Sequence, residues 1–158
     1  MFKQSIFVVL IMSCSSAAST VCALEQAGEK SFVNVVPGAN LSHKKMNRVQ
    51  LAGKNLDGIK LIRTKLHQAD LSNSSLQGAK MAFSELHESN LSYADLQNAN
   101  LREANLYKVD LRGADLRGAN LRNARLAGAS LGQAKFNDKT ILPFGKAKAL
   151  ELGMQYLP

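Results

Sequence analysis

His67 and His87 stand twenty residues apart, with Glu85 and Glu88 beside the second. Imidazole and carboxylate are the ligands that zinc-type ions take. The pair is therefore a weak candidate metal site, because a third fixed ligand is missing. No Ser, Cys or Lys stands beside a base that a further group could orient, and no glycine-rich phosphate loop occurs. The sequence points away from an enzyme and implies no cofactor. The second chemically able set is cationic. Twenty Lys and Arg face 12 Asp and Glu, a formal net charge of +8. Such a chain attracts anionic partners such as lipid headgroups, acidic glycans or nucleic acid. With aromatics at only 6%, the stacking residues typical of nucleic-acid binders are few, which disfavours nucleic acid. A merely soluble exterior would account for the same charge excess.

What positions these side chains is a repeat of five. From Leu41 every fifth residue is apolar: Leu41, Met46, Leu51, Leu56, Leu61, Leu66, Leu71, Leu76, Met81, Leu86, Leu91, Leu96, Leu101, Leu106, Leu111, Leu116, Leu121, Leu126, Leu131 and Phe136, with Ile141 on the next position. A strand repeats every two residues and a helix every 3.6, so neither alone gives this spacing. The residue two before each is small in most units, and Asn, Asp, Ser or Lys usually lies between. Residues two apart on an extended segment share a side, and Asn, Asp, Ser and Gly supply turns. Each unit is then one short extended piece and one turn. A single unit cannot bury its leucine, so successive units must wind around a common axis.

The units Ala69-Asp70-Leu71-Ser72-Asn73, Ala94-Asp95-Leu96-Gln97-Asn98, Ala99-Asn100-Leu101-Arg102-Glu103 and Ala119-Asn120-Leu121-Arg122-Asn123 fit A-[DN]-L-x-x. This pattern resembles the pentapeptide repeat family, over residues 39–138. The resemblance implies an all-β solenoid, a right-handed quadrilateral β-helix with four units per coil and about five coils. It implies no activity. Some members protect gyrase by mimicking DNA, but mimicry needs rows of negative charge and this chain is basic. Lys44 and Lys54 depart from the pattern at small inward positions. A buried unpaired amine is costly, so a distorted first coil is expected there.

Four units per coil make residues twenty apart vertical neighbours. One face then carries Lys60, Arg63, Lys80, Arg102 and Arg122 against Glu103. The next carries Lys45, Arg48, Lys65, Lys108 and Arg125 against Glu85 and Glu88. The remaining two are richer in Asp than in Arg and Lys. A two-sided rod with a basic interaction side is expected. His67 and His87 fall in one column with Asn47, Tyr107 and Ala127, and Ile62 and Phe83 form a small apolar patch on the first basic face.

The ends read differently. Residues 1–23 carry Lys3, an apolar run from Ile6 to Met12 and then small residues, the order of a signal peptide. Cleavage fits after Ala18 or Ala23, and the second removes both cysteines and any disulfide framework. Ile11-Met12-Ser13-Cys14 loosely resembles a lipobox, so lipidation at Cys14 is an alternative. Residues 24–38 are the expected N-terminal cap or linker, 39–141 the β-helix and 142–158 a C-terminal cap. A short helix is expected from about Lys146 to Leu152, stopped by Gly153, with Ala149, Leu150, Leu152 and Leu157 over the last coil. The cap closes either its own rod or a homodimer. These features point to a non-enzymatic exported bacterial protein, periplasmic or secreted, with an outer-membrane lipoprotein as the alternative. Its expected role is a rigid module binding an unknown protein partner, with its basic side on anionic lipid or glycan. A secreted effector acting on a host cell is the competing reading.

Overall fold

The computed structural model describes residues 35–158. The signal peptide, Cys14 and most of the expected N-terminal cap lie outside the described residues. Within them the five-residue unit is a turn with a one-residue bridge. The leucine carbonyl accepts from the N–H three residues on, as Leu96 does from Ala99 at 3.0 Å. The residue two after the leucine has positive φ, whether glycine or Asn98 (58°) or Asn123 (58°). Positive φ at the third turn residue alone defines a type II turn, and Gly and Asn tolerate it best. The Asn or Asp before the leucine accepts the N–H two residues on. Asn100 takes that of Arg102 at 3.1 Å and Asp115 that of Arg117 at 3.2 Å. This is why A-[DN]-L recurs: the carboxamide or carboxylate sets up the turn that follows.

Four units make one coil. Parallel bridges join residues twenty apart from Asn40↔Lys60 through Asp115↔Lys135. Up to Leu121 each inward leucine N–H donates to the coil after it, as Leu96 does to Asp115 at 2.8 Å. With strands ~4.8 Å apart, five coils give a rod roughly 24 Å long. The leucines point to its axis: Leu71, Leu76, Leu91, Leu96, Leu101, Leu106, Leu111, Leu116 and Leu121 are wholly buried. Where the small inward residue is Ser or Thr, its hydroxyl finds a main-chain carbonyl. Thr64 donates to Leu41, and Ser74, Ser84 and Ser89 to Leu71, Met81 and Leu86. No buried side-chain polar atom is left without a partner among the described residues.

The first coil is regular, contrary to expectation. Lys44 and Lys54 keep the same turn bond, to Leu41 and Leu51, both at 3.3 Å. Their side chains are exposed. Both sit in the first coil, with no described coil on its N-terminal side, so their long stems reach water without a backbone change.

At the other end one extra residue enters. Ile141 bridges Asn120, twenty-one residues away. Thr140 takes the inward small position and its hydroxyl donates to Leu116 at 3.0 Å. Ile141 is consequently turned outward, 48% exposed, and Leu142 packs against the core in its place. The chain then forms α1 (Lys146–Glu151), after β1 (Lys135–Phe136) and before β2 (Gln155–Tyr156). β2 pairs with β1 in parallel, Lys135 with Gln155, and the tail so closes its own rod. Ala149 and Met154 are buried against the last coil. Leu150 and Leu152 are not: they point to solvent, because a six-residue helix buries only one stripe. No described helix is long and apolar enough to cross a membrane.

Candidate functional site

The four sides of the coil differ in how their charges are used. On the two acidic sides, arginine is neutralised inside its own unit. Arg112 grips Asp110 with Nε–Oδ1 at 2.9 Å and Nη2–Oδ2 at 2.6 Å, and Arg117 grips Asp115 with the same two distances. Residues just before and just after an inward leucine both point outward, so Asp-Leu-Arg is built for this two-point pairing. That triplet was the available signal, and a count of charge by face overlooks it.

The basic sides are different. Lys65 reaches Glu85 at 3.6 Å and Arg102 reaches Glu103 at 3.0 Å. Arg48 donates to Gln68 at 3.0 Å, and Gln68 in turn to Glu88 at 2.9 Å. Arg63 lies over the Phe83 ring at 5.3 Å, a cation–π contact, and Lys108 lies over Tyr107 at 5.1 Å. Among the described residues Lys45, Arg48, Lys60, Arg63, Lys80, Lys108, Arg122 and Arg125 make no ion pair. Lys60 and Lys80 bridge each other across adjacent coils. The Ile62–Phe83 patch is reduced to Phe83, 40% exposed, since Ile62 is half-buried.

The histidine column is brought together more tightly than coil spacing requires. The rings of His67 and His87 stack with centroids 3.6 Å apart and planes tilted by 33°. His67 Nε2 is already engaged with Glu85 at 2.7 Å. No group of three or more His, Cys, Asp or Glu side chains is placed to hold a metal among the described residues. The hydrogen bond from His67 holds the Glu85 carboxyl below its ordinary range, against an opposing push from burial, with the charge of Lys65 adding to the lowering. Hydrogen bonds from Arg112 lower Asp110. Burial pushes Asp115 up, but Arg117 outweighs it and the net shift is down. A carboxyl lowered in the folded state stabilises the fold above its unfolded pKa, and that contribution vanishes as pH falls through the folded value. The urea midpoint should therefore hold between neutral pH and about pH 5 and decline below about pH 4. The double variant Asp110→Asn, Asp115→Asn should start lower and decline less, measured by far-UV circular dichroism.

Of the residues assigned to the core from sequence, Leu126 alone is only half-buried. Its coil is the last, and neither Ile141 nor β2 runs over its side. This exposure, and Met154 as a core residue, are what the sequence did not announce.

The pentapeptide repeat model ("Pentapeptide repeats", 8 copies) matches residues 38–78, 55–92, 84–123 and 104–138 in overlapping segments. The chain belongs to the pentapeptide repeat family. Its coils are those of the family's right-handed quadrilateral β-helix. Among solved structures it is similar to the pentapeptide repeat protein Rfr23 from the cyanobacterium Cyanothece 51142. That match has 26% identity and a TM-score of 0.59, over 66% of this chain and 88% of that one. It is also similar to a pentapeptide repeat protein of the Arabidopsis thaliana thylakoid lumen, at 25% identity and TM-score 0.51, over 73% and 74%. The pentapeptide repeat protein alr5209 from Nostoc Pcc 7120 shares 35% identity over 62% of this chain and 84% of its own, with a TM-score of 0.43. No curated protein matches significantly. The family's proteins are in general non-enzymatic structural or interaction modules.

Proposed function

We propose that this pentapeptide repeat protein is an exported scaffold whose basic side rests on an anionic surface of the cell envelope. One observation carries the reading. Arginines on the acidic sides are paired within their own units, whereas eight cations of the two adjacent basic sides are left without an ion pair among the described residues. Unpaired cations spaced ~4.8 Å apart on a rigid ladder suit an array of headgroups. Each Lys or Arg held at an anionic membrane surface contributes roughly 1 kcal/mol, within a Debye length. Phe83, exposed beside Arg63 on the side that also carries Lys60 and Lys80, adds an apolar contact of the kind that interfaces use. Acidic glycan offers the same chemistry without the bilayer. The export half of the proposal rests on the leader-like order of residues 1–23, and mass spectrometry of the cellular protein tests it. A mature N-terminus at residue 19 or 24, or a lipidated Cys14, fits; an intact Met1 does not.

The surface half is tested by sedimentation with phosphatidylglycerol vesicles and with zwitterionic ones. Binding to the anionic vesicles is expected at about 20 mM salt and release at about 500 mM, where screening reaches a few ångströms. Lys60→Glu with Lys80→Glu should weaken that binding by at least about tenfold, as two contacts become two repulsions. Absence of binding at low salt would overturn the proposal for lipid, and retention by soluble acidic polysaccharide alone would move it to glycan.

A further inference from the structure

Every coil offers the next a fixed set of main-chain groups, and on one side of the rod the last coil's set is unused. In the coil before it, Leu106 N–H donates to Arg125 C=O at 2.9 Å and Lys108 N–H to Ala127 C=O at 3.0 Å. Ala104 C=O there accepts from Arg125 N–H at 3.0 Å. The equivalent groups one coil on are Leu126 N–H, Gly128 N–H and Ala124 C=O. None of the three bonds to another coil among the described residues. Bridges to the tail exist on either flank, at Asn120↔Ile141 and Lys135↔Gln155, but Arg125 and Ser130 have none beyond the last coil. Arg125, Ala127 and Gly128 are exposed, and Leu126 and Ala129 are half-buried apolar residues at an edge that should be core. A groove lined by His87, Glu88, Asn105, Tyr107, Arg125, Leu126 and Ala127 leads up to this edge.

We infer that residues 124–128 are a docking rung for an acidic, extended segment of another protein, added in parallel as a partial sixth coil. Adding a strand to an open sheet edge is a general recognition mode in which main-chain bonds supply affinity and side chains supply choice. The register follows from the coils below. The segment's residue opposite Arg125 would donate its N–H to Ala124 C=O and accept from Leu126 N–H. Its residue two further on would accept from Gly128 N–H. The residue between points inward onto Leu126 and must be apolar. The residue opposite Arg125 points outward, ~4.8 Å from it, and a carboxylate fits there. Charge decides the occupant. Arg125 lies on the rung, Lys108 lies against Gly128 and Arg122 lies two residues before the rung, none in an ion pair among the described residues, and these three cations outnumber Glu88 in the groove. A second copy pairing this edge with itself about a two-fold axis would set like charges together. The rung is a main-chain edge, so the inference stands whether or not the basic sides meet lipid.

The test uses the isotopically labelled chain and the capped peptide EADLEA, which places Asp opposite Arg125 and Leu on Leu126. Titration should move the amide signals of Leu126 and Gly128 and saturate. EADLEA methylated on its Asp nitrogen keeps the carboxylate but lacks the N–H that Ala124 would accept, and KAKLKA reverses the charge. Each should bind at least about tenfold more weakly, the loss of roughly one charge-assisted or buried hydrogen bond. Arg125→Glu should reverse the preference between the acidic and lysine peptides. Three results overturn the inference. The acidic peptide fails to produce saturable shifts at Leu126 and Gly128, or the N-methylated peptide binds as well as EADLEA, showing charge attraction without strand addition. The third is that diluting the free protein moves the same two amides, which would put a second copy on the rung.

Discussion

Ala99→Lys is expected to destroy cooperative folding, while the native Lys44, at the same place in its own unit, can be exchanged for alanine almost freely. Ala99 points to the rod axis and is 1% exposed. It lies in a column between Ala79 and Ala119, which are also buried, each one coil spacing of ~4.8 Å away. A lysine there has coils on both sides and no route to water. The ammonium would have to lose its hydration or lose its proton, at a cost of several kcal/mol. A domain of this size holds only about 5–15 kcal/mol in reserve. The solenoid adds a second penalty. Each coil is stabilised by its neighbours alone, so a broken fourth coil leaves three coils before it and cuts the last coil and its tail off from them. Ala99→Lys should lose more than about 4 kcal/mol in urea unfolding, or express as insoluble protein. Lys44→Ala should change stability by less than about 1 kcal/mol, since it removes an exposed amine. Equal stability for Ala99→Lys and the parent would mean that the coils open easily enough to let a side chain out, against the packing described here.

The same contrast shows how far the residues announce the structure. The period of five places the leucines on one axis because every unit repeats the same turn, and the turn is written locally. Asn100 and Asp115 hold the following N–H, Leu96 closes the bond to Ala99, and Asn98 or a glycine takes the left-handed residue. Nothing distant has to be known. Lys44 and Lys54 do not distort the first coil because inward position alone is not burial, which also needs a coil on each side. The register at Ile141 was illegible for a related reason. Ile141 and Leu142 are both apolar, so the pattern of fives and the pattern with one inserted residue fit equally well. What separates them is the Thr140 hydroxyl, which reaches back to Leu116 C=O and to the Asn137 side chain at 3.2 Å. That contact spans a whole coil. The opening above Leu126 follows from the insertion, because the chain leaves the coil early, crosses as α1 and rejoins only at Lys135. The basic sides were visible as a count of charges. Their use was not, because pairing depends on which acid lies two residues away rather than on how many acids share the face.

Removing residues 142–158 should cost more than any single surface change and make the protein aggregate. With the tail in place, Leu131 and Phe136 are 4% and 3% exposed, and Phe136 meets Tyr156 edge-on with centroids 5.5 Å apart. Ala149 and Met154 supply the rest of the cover. Each large apolar side chain returned to water loses roughly 1.5–3 kcal/mol, so uncovering Leu131 and Phe136 alone costs about 3–6 kcal/mol. The main-chain bonds from Gln155 N–H to Ala134 C=O and from Leu157 N–H to Phe136 C=O go as well. The native rod leaves one side of its last coil open and guards it with Arg122 and Arg125. The truncated rod would keep only the Ile141 bridge to Asn120 and would open the side that β2 covers, where no such arginine stands guard, and flat unpaired edges of this kind recruit further copies. Size-exclusion chromatography with light scattering should find oligomers, and the midpoint of thermal unfolding should fall by more than about 10 °C, given about 2–4 °C per kcal/mol for a chain of this length. Met154→Asp separates cover from pairing, because it leaves the tail's main chain whole. It should lose about 2–4 kcal/mol, in the range of a buried methionine removed plus a carboxylate left without a partner, and keep the parent's elution position. If the truncated chain were monomeric and unfolded within a few degrees of the parent, α1 and β2 would be ornaments on a rod that ends itself. The exposed apolar edge above Leu126 would then need no guarding.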